Sequence, residues 1–111
     1  MDIEKKIARF QDLKTKMPTS ELPRWTLAQA YEEAERLAEA EAEYVELVAL
    51  KADYCMAWVR LGAVRLGLGR PADAREPLET AIRLARAQGH EAPRMEAMKI
   101  LDEVDELDEE D

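Results

Sequence analysis

Apolar residues recur along this chain three and four positions apart, with charged residues between them, which is the spacing of amphipathic helices. Ile3, Ile7, Phe10, Leu13 and Met17 form one stripe that Pro18 ends, so a helix is predicted over residues 2–16. Ser20 is placed to cap a second helix, with Pro23 in its first turn. No Gly or Pro lies between Pro23 and Gly62, which leaves two readings: one unbroken helix over 21–50, or a break near Glu35–Leu37. The break is preferred, because an unbroken helix of that length is far above the usual ~11–12 residues. Further helices are predicted over 54–67, ended by Gly67 and Gly69, and over 71–88, opened by Pro71 and ended by Gly89. Pro77 lies inside the latter and removes one hydrogen bond. A sixth helix, over 92–108 and opened by Pro93, has Ala97, Ile100, Leu101, Val104 and Leu107 on one face. Its Glu96, Glu103 and Glu106 are expected in water, and the chain is expected to fray after Leu107.

Displacing the sequence against itself by 34 residues pairs Leu27 with Leu61, Ala28 with Gly62, Ala40 with Ala74 and Tyr44 with Leu78. Leu47 then meets Ala81, Val48 meets Ile82 and Leu50 meets Leu84. One further step back places Phe10, Leu13 and Lys14 beneath Tyr44, Leu47 and Val48. The repeated positions are apolar or small, and the residues between them are free and mostly charged. Stacked helix pairs require this: small residues where two helices approach closely, large ones where space must be filled. The predicted class is therefore all-α, with a low β-branched and aromatic content that disfavours a sheet.

Trp58, Leu61 and Gly62, then Ala74, Leu78 and Ala81, resemble the signature of the tetratricopeptide repeat, as do Leu27, Ala28, Tyr31, Ala40 and Tyr44 in the earlier copy. Arg65 departs from it, standing where the family usually has Tyr, and Trp25 comes one residue late. The resemblance covers about residues 7–88. It implies an α-solenoid of about six helices in a single domain over 1–111: a half repeat over 1–18, repeats over 21–53 and 54–88, a capping helix over 92–108 and an acidic tail over 108–111. It also implies a groove for a partner, lined by the first helix of each pair. Carried over position by position, the groove residues are Trp25, Gln29 and Glu32 in the first copy and Met56, Val59, Arg60, Ala63 and Leu66 in the second. Trp58 is expected to pack inside its repeat. Some family members hold chaperone C-terminal carboxylates with a clamp of Lys, Asn and Arg, but the matching positions here are Trp25, Gln29, Val59 and Ala63, so the clamp is absent.

The chain has 111 residues, 47% hydrophobic and 37% charged, with a formal charge of −9. This acidic balance opposes binding to nucleic-acid phosphate or to an anionic membrane surface, and leaves proteins or peptides as expected partners. MDIEKKIARF lacks the apolar core of a secretory leader, and no segment reaches the ~18 apolar residues of a membrane span, so a cytoplasmic setting is expected. Ala, Arg and Glu are abundant and Asn is absent, which hints at a bacterial source. The initiating Met and charged end favour a short self-standing chain over an excised domain.

Little in the sequence supports catalysis. Cys55 is the sole cysteine, His90 the sole histidine and Ser20 the sole serine, so neither a disulfide nor a nucleophile–base pair can be assembled. His90 and Cys55 fall in different segments, and no metal or other cofactor is expected. GLGRPADA follows a helix rather than a strand and lacks the Lys–Ser/Thr pair of a phosphate loop. The expectation is a non-enzymatic interaction module whose groove takes a helix or apolar segment of a partner, in a monomer or weak homodimer. The alternative is a self-assembling structural protein in which a second copy extends the solenoid.

Overall fold

A computed structural model describes residues 2–109, all but the turns in helices: α1 (Ile3–Lys16), α2 (Glu21–Glu33), α3 (Leu37–Leu50), α4 (Cys55–Gly67), α5 (Pro71–Gln88) and α6 (Glu91–Glu109). No strand occurs among them. The helices fall into two compact units, divided between Ala52 and Asp53.

In the first unit α2 packs against both α1 and α3. Ile7, Leu27, Ala28, Ala30, Tyr31, Ala40, Tyr44 and Leu47 are its buried apolar residues, together with Val48. Met17 does not extend the α1 stripe as expected. It sits past the helix end as the C-cap and is 47% exposed. The first helix is tied down partly by charge: Lys14 donates to both carboxylate oxygens of the buried Glu43, at 3.2 and 3.0 Å, and to Glu46 at 3.2 Å. Burial, the largest influence on Glu43, pushes its carboxyl up, while the bond from Lys14 pulls the other way. For Lys14, burial opposes the charge, but the bonds to Glu43 and Glu46 outweigh it and hold the ammonium above its ordinary value. Ser20 occupies the N-cap of α2, yet its side chain makes no capping bond.

The break between α2 and α3 is real and is made without glycine. Glu35 adopts φ +60°, its N–H donates to the Glu32 carbonyl at 3.0 Å, and the Arg36 N–H donates to the Tyr31 carbonyl at 2.8 Å. The turn between α4 and α5 repeats this design: Gly69 has φ +76°, its N–H meets Leu66 at 2.9 Å, and the Arg70 N–H meets Arg65 at 3.0 Å. Both turns end in an arginine at the N-cap that bonds an acid three residues on, Arg36 to Glu39 and Arg70 to Asp73. Arg36 also pairs with Glu4 at 3.2 Å and lies over the Tyr31 ring. The repeat therefore includes its turns and their ion pairs as well as its apolar stripe.

In the second unit α5 packs against α4 and α6, and α6 also reaches α4. Gly62 is where α4 and α5 approach closely: a Cβ there would lie 2.5 Å from Leu78 Cγ and 3.3 Å from the Ala74 carbonyl oxygen. Pro77 is buried within α5 and cannot donate to the Asp73 carbonyl four residues back. Arg65 Nη1 donates to that carbonyl instead, at 3.3 Å. This gives a structural use to the residue that departs from the family pattern. Ala97 and Val104 of α6 join Cys55, Val59, Ala74, Leu78, Ala81, Ile82 and Ala85 in one buried cluster. Leu107, expected on this face, is 42% exposed. The helix is described beyond Leu107: Asp108 and Glu109 are helical, and Arg75 pairs with Asp105 and Asp108 at 2.7 Å each. Of the expected tail, Glu110 and Asp111 lie outside the described residues.

Candidate functional site

The eight expected groove residues are placed differently within each unit. In the first unit Gln29 is exposed, but Trp25 is half-buried and meets the buried Tyr44 edge-on, ring centroids 5.9 Å apart at 64°. Glu32 accepts a hydrogen bond from the Tyr44 hydroxyl. Both side chains therefore take part in packing α2 on α3. In the second unit Val59 is 0% exposed, which removes it from any open surface. The cause is α6, whose buried residues share the Val59 cluster. Met56 is half-buried and packs against the same cluster, as does Trp58, which was expected inside its repeat.

Arg60, Ala63 and Leu66 do come together. They form one wall of a groove of about 790 Å³ between α4 and α6. Positions 60, 63 and 66 fall on one side of α4 because a helix turns once per about 3.6 residues. Met95, Glu96, Lys99, Ile100 and Glu103 of α6 supply the facing wall, and Gly67 of α4 also lines it. Arg60 Nη1 donates to Glu96 Oε1 at 3.1 Å across the groove, so Glu96 is half-buried in a pair rather than free in water as expected. Ala63, Leu66, Met95 and Ile100 give an apolar lining, with Lys99 and Glu103 on the α6 side. The α6 residues escaped the sequence reading because that helix carries no repeat signature. A signal was present: Met95, Lys99 and Glu103 stand four apart, making a second stripe beside the buried one.

The remaining candidate residues, Cys55 and His90, lie outside this groove. Cys55 is buried, its thiol donates to the Ala81 carbonyl at 3.3 Å, and burial pushes its pKa up, away from the reactive thiolate. His90 is exposed in the α5–α6 turn. Among the described residues no group of three His, Cys, Asp or Glu side chains could hold a metal ion, and no helix is long and apolar enough to cross a membrane.

Two helix pairs, α2–α3 and α4–α5, built on the same turn and the same buried positions define a helical repeat. Its fold is that of the tetratricopeptide repeat. No protein-family model matches the sequence, and no curated protein sequence matches it. Solved structures do. A tetratricopeptide repeat domain protein from Salinibacter ruber is 26% identical, with a TM-score of 0.75 over 83% of this chain and 93% of that one. The first such domain of Spaghetti (RPAP3), bound to the HSP90 peptide SRMEEVD, is 24% identical, with a TM-score of 0.83 over 95% and 79%. The type III secretion translocator chaperone SycD of Yersinia enterocolitica reaches a TM-score of 0.90 at 15% identity, over 96% and 74%. The chain thus has the tetratricopeptide-repeat fold, with a C-terminal helix packed against its last helix pair.

Proposed function

We propose that this chain is a protein-interaction module that holds an apolar or helical segment of another protein in the groove between α4 and α6. The observation that carries the reading is the groove itself: about 790 Å³, lined by Ala63, Leu66, Met95 and Ile100 and edged by charges of both signs. Binding sites for peptides share this make-up, an apolar floor with a few polar groups that fix orientation. Support also comes from a domain of the same fold that is bound to a peptide, that of Spaghetti (RPAP3) with SRMEEVD. An acidic C-terminal tail of that kind is not the ligand proposed here. The positions corresponding to the clamp hold Trp25, Gln29, Val59 and Ala63, and the chain carries −9. A cytoplasmic setting, a bacterial source, a non-catalytic role and a monomeric or weakly dimeric state belong to the same reading.

The test is affinity capture from the source cell with the wild-type chain and Ala63→Glu in parallel. Ala63 is half-buried at the groove, so a glutamate there fills the space and adds a charge to the apolar floor. Circular dichroism checks that the variant keeps its helices. A protein retained by the wild type and lost by Ala63→Glu supports the reading, and its binding segment is then mapped with overlapping peptides. Equal capture by both chains would refute the groove.

A further inference from the structure

A second groove, of about 510 Å³, runs on the other side of α6, between that helix and α5. Its floor is Ile82, Leu101 and Met98: the first buried, the second half-buried, the third exposed. Arg94 of α6 fixes Met98 through a contact of its Nη1 with the Met98 sulfur at 3.4 Å, while also pairing with Glu91. Arg83 and Arg86 line the α5 wall, and both are exposed.

These two arginines differ from all the others. Arg24, Arg36, Arg60, Arg70, Arg75 and Arg94 sit in ion pairs. Arg65 bonds a carbonyl, and Arg9 lies over the Phe10 ring. Arg83 and Arg86 have no partner among the described residues. In a chain of −9, acids are plentiful, yet two cations are left uncompensated beside an apolar floor. They stand three residues apart on one helix, about 4.5 Å along its axis. Two carboxylates one turn apart on a second helix match that spacing. Glu79 and Asp102 line the same groove and mark its opposite end. The pairing of Arg75 with Asp105 and Asp108 fixes this polarity, since it sets the start of α5 along the end of α6. The groove is thus positive toward the α5–α6 turn and negative away from it.

We propose that this groove docks an amphipathic helical segment of a protein partner, seated on Ile82, Met98 and Leu101, with an acidic pair at the end that meets Arg83 and Arg86. Glu79 and Asp102 repel acids at the other end and so fix the direction of the segment. This surface is separate from the α4–α6 groove and does not depend on it.

The probe is a synthetic, fluorescein-labelled amphipathic helix with leucines on one face and a Glu pair in its first turn. Control peptides carry Gln or Lys at the pair. Fluorescence anisotropy with the full chain is expected to show saturable binding of the Glu peptide, weakening as salt rises from about 50 to about 300 mM. The double variant Arg83→Glu with Arg86→Glu is expected to lose about tenfold for the Glu peptide and to gain for the Lys peptide, the scale of two exposed ion pairs. The exchange of preference shows that the variant is folded, because an unfolded chain would lose both peptides. Ala63→Glu is expected to bind the Glu peptide as the wild type does, which separates this surface from the other groove. The proposal is overturned by no saturable binding, by equal affinity for the Glu and Gln peptides, or by loss in Ala63→Glu alone. Self-association of the free chain that disappears in the double variant would also overturn it, by making a second copy the occupant.

Discussion

Glu35 holds a backbone conformation that side chains with a Cβ disfavour, and replacing it with glycine is expected to stabilise the protein. At φ +60° the residue is in the left-handed region, which costs a non-glycine residue about 1–2 kcal/mol. Its side chain is exposed and makes no ion pair or hydrogen bond among the described residues, so nothing is lost by removing it. Against the gain stands the extra freedom that glycine gives the unfolded chain, about 0.4–1 kcal/mol. The balance for Glu35→Gly is a stabilisation of about 0.5–1 kcal/mol, or a rise of roughly 2–6 °C in Tm for a domain of this size. The structure supplies its own control at the corresponding position of the other turn. Gly69 has φ +76°, and a Cβ built there meets nothing within 4 Å, so Gly69→Ala loses stability through conformation alone. Its expected cost is about 0.5–1 kcal/mol, equal in size and opposite in sign. Thermal melts followed by circular dichroism at 222 nm, supported by urea titration, measure both variants. A fall in the midpoint for Glu35→Gly would refute the reasoning, as would a rise for Gly69→Ala.

Gly62→Ala gains about 0.8–1 kcal/mol of helix propensity but drives a Cβ into the buried Leu78 side chain, an overpacking cost of about 1–3 kcal/mol, so a lower urea midpoint is expected. The loss should shrink in a Leu78→Ala background, and an additive double variant would place the strain elsewhere. Burial raises the Glu43 carboxyl above its ordinary 4.5, so the folded state holds that proton more tightly. The resulting stability is present at low pH and is lost as pH rises through the raised value. Because Glu43→Gln has no such proton, the wild type's advantage over it should widen between about pH 7 and about pH 4, and narrowing would count against the assignment. Arg75→Ala removes two exposed surface pairs, which should speed amide exchange over the last turns of α6 while changing Tm little. Unchanged protection there would mean that the pairs do not hold the helix end.

The helices and most of the core were legible in the sequence because helix burial leaves a periodic trace. Leu27 and Leu61, Ala40 and Ala74, Tyr44 and Leu78 share a register, and all are buried. The turn at Glu35 was legible only through that register, since no local residue announces it; its left-handed φ is held by backbone bonds from Glu35 and Arg36. The candidate site was far less legible. Position along α4 indicated Arg60, Ala63 and Leu66 but could not show that α6 would cover Val59 and supply the opposite wall. A surface made by two helices distant in sequence depends on how one packs across the other, and no spacing within a single helix records that. The engagement of Trp25 and Glu32 with Tyr44 was hidden for a related reason. A large side chain and a carboxylate can each face a neighbouring helix or the solvent, and the choice was made by Tyr44, whose ring and hydroxyl engage both.

Lys14 occupies the place that Val48 and Ile82 hold in the later copies, and its contacts are ammonium to carboxylate where theirs are apolar. Attachment of this kind is weakened by alkali strong enough to remove the ammonium proton, whereas hydrocarbon contacts are nearly indifferent to it. The amino-terminal helix is therefore held in part by a proton on Lys14, which the corresponding positions of the later copies do without.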